Sequence, residues 1–276
     1  DSINPHELGA EIGLIAKTTD FNDYGWGVTN LQWQQHFRGG KSLVAAGQVD
    51  VHDWHDVFAF NSPWTDVKNT ALVYPTSPIP SQGLGAMAFS MFGEHIYGLV
   101  GLSDANGKPY EWGYETCFEL REYFSYAEIG YVQDQSSFHD DNLHLSVWHV
   151  DARTEDGYTP EGWGLSVSGQ WFLQNKLHPV LRLGWSDGGG GAPAEAAITA
   201  GAGFDLSNYD RLFVGVNWSR PSDETLRESF TWEAYYRFQL SPNLAIWPDL
   251  QVIFRPADNP SRDVVSVFSL TARLVL

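Results

Sequence analysis

The chain alternates apolar and polar residues with a period of two from one end to the other, which limits its fold more tightly than any other feature. In Phe230-Thr231-Trp232-Glu233-Ala234-Tyr235-Tyr236-Arg237-Phe238-Gln239-Leu240 the even positions are Phe, Trp, Ala, Tyr, Phe and Leu. The odd ones are Thr, Glu, Tyr, Arg and Gln. Successive side chains of a strand point to opposite faces, so such a segment has one greasy and one polar face. Leu244, Ile246, Pro248, Leu250, Val252 and Phe254 repeat the pattern against Trp247, Asp249, Gln251 and Arg255. Phe268, Leu270, Ala272, Leu274 and Leu276 oppose Ser269, Thr271 and Arg273.

Segments of this kind fall near 7–17, 27–38, 41–51, 83–92, 95–104, 122–132, 142–152, 162–173, 177–186, 195–205, 210–219, 229–240, 243–255 and 264–276. Short connections such as Arg38-Gly39-Gly40-Lys41 alternate with longer polar ones, including 52–81 and the glycine-rich 186–194. Only 115–122 is a candidate for helix. The chain is all-β.

A soluble sandwich would bury the apolar face and wet the polar one, whereas a membrane barrel turns the apolar face to lipid. The segments run about 10–13 residues, the length a tilted strand needs to cross a bilayer, against about 5–6 for globular strands. Aromatic residues gather near segment ends, at Trp26, Trp163, Trp171, Trp185, Trp218, Phe230, Phe238 and Phe254, where interfacial girdles would lie. The expectation is one domain over 1–276, a transmembrane antiparallel β-barrel of about 14–16 strands.

Composition removes other classes. The formal net charge of −18 argues against a nucleic-acid partner, which selects a basic face. The single cysteine, Cys117, excludes an internal disulfide framework or a cysteine metal cluster. No apolar run approaches a transmembrane helix. Asp1-Ser2-Ile3-Asn4-Pro5 lacks the basic start and apolar stretch of a signal peptide, so the chain reads as a processed form or a piece of a longer one.

The C-terminal run from Glu233 to Pro260, with its Tyr-Arg-Phe-Gln-Leu strand, Pro248-Asp249-Leu250-Gln251 and Asn259-Pro260, resembles the closing hairpin of the OprB-type carbohydrate-selective porins. Trp33-Gln34-Gln35 with Ala46-Gly47-Gln48-Val49-Asp50 is similar to a second stretch of that family. So are Pro78-Ile79-Pro80 leading into Gly83-Leu84-Gly85-Ala86, and Asp104-Ala105-Asn106-Gly107. The resemblance implies a bacterial outer-membrane porin through which carbohydrates, monosaccharides such as glucose, diffuse passively into the periplasm. Gln48 stands where the family has lysine, and Leu276 where an aromatic terminus is favoured. The strand count falls short of the family's sixteen, which leaves open an N-terminal hairpin that is missing or naturally absent: a reduced barrel, a fragment or a diverged channel.

A sugar channel needs hydroxyl-matched hydrogen bonding and an aromatic face for the pyranose, with no nucleophile and no cofactor. The expected lumen-lining set is Glu233, Tyr235, Arg237, Trp247, Asp249, Gln251 and Arg273, joined by Arg182 and Glu128 from earlier strands. These charges either contact sugar or pair with one another to brace the wall. Expected partners are small sugars, outer-membrane lipid and lipopolysaccharide, with a homotrimer as the assembly.

His52-Asp53-Trp54-His55-Asp56 and His139-Asp140-Asp141 with His144 carry metal-ligating residue types but read as solvated loop residues. The acidic stretches 134–141 and 151–156 lack the spacing of a calcium loop. No metal site is expected. Three further readings compete: a barrel enzyme, disfavoured because Ser146 and His149 alternate to opposite faces, a soluble sugar-binding sandwich, and a plugged or structural barrel within a larger envelope assembly.

Overall fold

The computed structural model describes residues 12–14, 27–62, 65–174, 176–206 and 210–275. Among these, thirteen strands form one antiparallel sheet in which every strand pairs with its neighbours in sequence. They are β1 Leu31–Phe37, β2 Ser42–Val49, β3 Gly83–Phe92, β4 Ile96–Asp104, β5 Tyr123–Val132, β6 Asn142–Val150 and β7 Gly162–Gln170. The rest are β8 Leu177–Ser186, β9 Ala194–Asp205, β10 Arg211–Pro221, β11 Ser229–Ser241, β12 Leu244–Phe254 and β13 Val264–Leu274. Thirteen of the fourteen expected segments thus appear as strands; 7–17 lies almost wholly outside the described residues. The candidate helix is a single wide turn, Thr116–Leu120.

The two faces have inverted polarity relative to a globular protein. In β6, Asn142, His144 and Ser146 are buried, while Leu143, Leu145 and Val147 are 52%, 42% and 42% exposed. β7 buries Ser166, Ser168 and Gln170, and β8 exposes Leu181 and Leu183 while sealing Arg182. Buried serines and exposed leucines in one strand suit a lipid-facing exterior and a polar interior. Among the described residues no helix is long and apolar enough to cross a membrane.

Aromatic residues mark both rims of that outer face. Trp218, Phe230 and Phe254 stand side by side across β10, β11 and β12, and Trp163 packs edge-on against Trp185 at 4.8 Å. At the opposite end Tyr131 stacks on Trp171 at 6.1 Å, and Tyr236 lies 4.2 Å from Phe238. These belts sit where amphipathic rings are favoured, at the membrane–water boundary. Trp26 lies outside the described residues.

The connections alternate as expected. One end carries 38–41, 93–95, 133–141, 171–176, 206–210 and 242–243; the other carries 50–82, 105–122, 151–161, 187–193, 222–228 and 255–263. The longest, 50–82, does not stay at its rim. Its side chains reach the inner faces of strands from β2 to β12, so the sheet curls around it. Val51 joins Leu43, Ala45, Met87, Leu99, Phe124, Tyr126, Trp148 and Val150 in one apolar cluster. Phe58, Phe60, Val67, Leu72 and Val73 join Val180, Phe213, Tyr235, Ala245 and Trp247 in another.

Two glycines make room for this crossing. A Cβ on Gly203 would collide with the Phe60 ring, and one on Gly215 with the Leu72 side chain. Any larger residue on these inner faces of β9 and β10 would push the segment away from the wall.

Candidate functional site: the lumen and the segment that crosses it

The crossing segment is fastened to the wall at two places, each built around carboxylates. The first is Asp56. Its backbone is left-handed, at φ 56°, a conformation that aspartate tolerates better than most residues. That turn sends the Asp56 N–H to Glu128 Oε2 of β5 at 2.7 Å and the carboxylate across to Arg182 of β8. The Asp56–Arg182 contact is two-point, with Nη1 2.5 Å from Oδ1 and Nη2 bonded to Oδ2. His144 Nε2 of β6 lies 2.9 Å from Oδ1, and the Ser166 hydroxyl of β7 donates to Oδ2 at 2.8 Å. Four adjacent strands therefore converge on one loop residue.

Glu128 is similarly saturated. Besides the Asp56 amide it accepts the Tyr97 hydroxyl at 2.5 Å and the Ser146 hydroxyl at 2.5 Å. Buried charge is tolerable only when paired and hydrogen-bonded, and both carboxylates meet that condition. Burial opposes the charge on Asp56, but the Arg182 guanidinium and the His144 contact outweigh it and hold the carboxyl well below the usual range. His55, buried beside Tyr126 at 4.8 Å between ring centroids, is pushed down by burial.

The second fastening is on β11 and β12. Glu233 accepts the backbone N–H groups of Lys68 at 2.6 Å and Asn69 at 3.0 Å. Asn69 Nδ2 donates to Gln251 Oε1 at 2.9 Å, and Gln251 Nε2 to Asp249 Oδ1 at 3.1 Å. The Tyr235 hydroxyl donates to Asp66 at 2.7 Å while its ring stacks on Phe213 at 5.5 Å. The Lys68 ammonium lies 5.0 Å from the Trp247 ring centroid, a cation–π contact. Between the two fastenings the Ala59 N–H donates to Gln170 at 2.8 Å.

All nine sequence-expected residues lie on the inner face, in three groups. Arg182 and Glu128 meet at Asp56. Glu233, Tyr235, Trp247, Asp249 and Gln251 meet the segment at 66–69, and each is at most 1% exposed. Arg237 and Arg273 sit past them at the short-connection rim, in a cavity of 170 Å³ that Trp247 also lines.

The expectation of solvated loop residues at His52–Asp56 is corrected: His55 and Asp56 are buried inside the barrel, and His144 is on a strand facing them. Sequence reasoning did not connect Asp56 with Arg182, or Lys68 and Asn69 with Glu233. One signal was available: 52–81 is long, apolar at Phe58, Phe60, Val67, Leu72 and Val73, and rich in proline, unlike an idle surface loop. Among the described residues no histidine, cysteine or carboxylate group has the geometry of a metal site.

Comparison with known proteins agrees with this geometry. Residues 224–275, spanning β11 to β13, match the carbohydrate-selective porin, OprB family. The fold is similar to the high-pH structure of Pseudomonas putida OprB, with TM-score 0.75 and 13% identity over 96% of this chain and 77% of that one. OmpT of Vibrio cholerae gives TM-score 0.55 at 9% identity, covering 89% of this chain and 80% of that one. The outer-membrane channel DcaP of Acinetobacter baumannii gives 0.53 at 9%, covering 84% and 72%. No curated protein sequence matches the chain. The resemblance read from the C-terminal run is thus borne out, and the chain has the antiparallel all-β fold of outer-membrane porin barrels.

Proposed function

We propose that this barrel is a passive channel for carbohydrates, monosaccharides such as glucose, into the periplasm, with the 50–82 segment setting its bore. The observation that carries the reading is the inner wall. It presents amides, hydroxyls, paired charges and aromatic edges, the groups that exchange hydrogen bonds with sugar hydroxyls and pack on pyranose faces. The C-terminal family match supports the substrate class. Channel function asks for no nucleophile, and Ser146 is sealed on the inner face while His149 is on the outer one. Outer-membrane lipid and lipopolysaccharide would surround the barrel, and a homotrimer is the assembly we expect.

One observation favours the alternative of a plugged barrel. The segment covers the inner wall so completely that Arg182, Glu233, Trp247 and Gln251 are at most 2% exposed. Swelling of liposomes carrying the purified protein separates the readings, using sugars from arabinose to maltotriose and small charged solutes that are not sugars. Monosaccharide uptake that exceeds that of the charged solutes and falls with sugar size supports the channel. No swelling with any solute, from protein shown to be folded in detergent, supports the plug.

A further inference from the structure

The cavity at the short-connection rim brings two arginines and a tryptophan together. It holds 170 Å³, the scale of one small solute. Thr65 of the crossing segment closes one side, and Pro242, Ala245 and Val275 supply an apolar floor. Trp247 is fully buried, and its indole Nε1 has no protein acceptor among the described residues. Arg237 Nε is likewise buried without an acceptor.

The charges around the cavity are equally one-sided. Elsewhere the inner wall pairs its cations: Arg182 with Asp56, and Arg211 with Asp205 at 2.6 Å. Among the described residues neither Arg237 nor Arg273 has a carboxylate within ion-pair distance. Asp249, farther along the same face of β12, is engaged by Gln251 and Ser269 and lies near Lys68. Asp66 is engaged by Tyr235. Two guanidinium groups therefore line one small space, with no carboxylate of the described residues within ion-pair distance of either.

We infer that this cavity is a binding site for a monosaccharide bearing a carboxylate, a uronic or aldonic acid. Its acid group bridges Arg237 and Arg273, and its ring lies beside Trp247. Guanidinium forks match carboxylates in geometry and charge. A neutral sugar would leave both arginines without a counter-charge. The inference rests on reading the lumen as a sugar pathway and adds a stop near its short-connection end.

The test is a titration of the full chain, folded in detergent micelles and labelled with ¹⁵N-tryptophan, followed through the Trp247 indole resonance. Trp247→Phe assigns that resonance. Glucuronate is expected to move it saturably, with glucose and acetate leaving it in place at equal concentration. Arg273→Gln, a change at an exposed position, is expected to raise the half-saturating glucuronate concentration about tenfold, the loss of one charge-assisted bond. An equal response to glucose or to acetate overturns the proposal, as does no response or an unchanged Arg273→Gln titration. The measurement needs no flux, so its failure alongside sugar-driven liposome swelling would leave the channel reading intact.

Discussion

Asp56, on the segment that crosses the lumen, and Arg182, on β8, form a two-point ion pair that is almost sealed from solvent, at 5% and 2% exposure. The residues are far apart in sequence, and their contact fixes how closely the segment lies against β5 to β8. Breaking one side of a buried pair leaves the other charge uncompensated, at a cost of about 3–5 kcal/mol. Arg182→Met should free the segment more than Asp56→Asn, because asparagine keeps an amide oxygen for Arg182 to bond, whereas Arg182→Met leaves the Asp56 carboxylate without its cation. In planar bilayers the expected result is larger and noisier single-channel current in Arg182→Met. Unchanged current in both variants would show that the ion pair does not set the bore.

The same pair gives the barrel a defined acid response. The folded Asp56 carboxyl titrates below its unfolded value, near 3.9. Its contribution is therefore fully present above the ordinary carboxylate range and is lost as pH falls through that range toward the folded pKa. The difference in detergent melting temperature between wild type and Asp56→Asn should stay flat from pH 8 down to about 5 and shrink below about 4. A difference that already shrinks between pH 7 and 6 would point to histidine, with His144 the first residue to examine.

Glu233 holds the second fastening by a different means, accepting two backbone N–H groups. Leaving a buried donor unpaired costs about 1–3 kcal/mol, so Glu233→Ala should loosen residues 66–69 while the Asp56 end remains in place. Hydrogen exchange is expected to speed up at the Lys68 and Asn69 amides and not at Asp56. Uniform acceleration along 50–82 would mean that the segment is released as one unit.

What the sequence made legible follows from the period of two. β3 and β8 begin and end where the alternation does, at 83–92 and 177–186, because a strand with lipid outside and polar groups inside has no other way to be written. The inward direction of Arg182, Glu128 and Glu233 came from the same rule. Their partners did not, since Asp56, Lys68 and Asn69 lie on an irregular segment whose path is set by tertiary contacts. Only the folded wall shows that Gly203 and Gly215 are the gaps into which Phe60 and Leu72 fit. The arginines at 237 and 273 were legible as inward-facing, while their shared cavity depends on the β11–β12–β13 register.

The outward face gives the sharpest check on the membrane reading, because it separates adjacent residues of one strand. Leu145 and Ser146 sit at the centre of β6, the first 42% exposed on the outer face and the second sealed on the inner. In a barrel, arginine at position 145 would enter the hydrocarbon midplane at a cost of about 2–4 kcal/mol, falling toward zero near the interfaces. Leu143→Arg, nearer the aromatic belt of Tyr131 and Trp171, should cost distinctly less than Leu145→Arg. In a water-soluble sandwich with this face wet, both would be nearly neutral. Folding of the variants into lipid vesicles, scored by protease resistance against urea concentration, gives the comparison. A midplane penalty larger than the rim penalty supports a spanning strand, and equal small effects would remove the outer face from the bilayer.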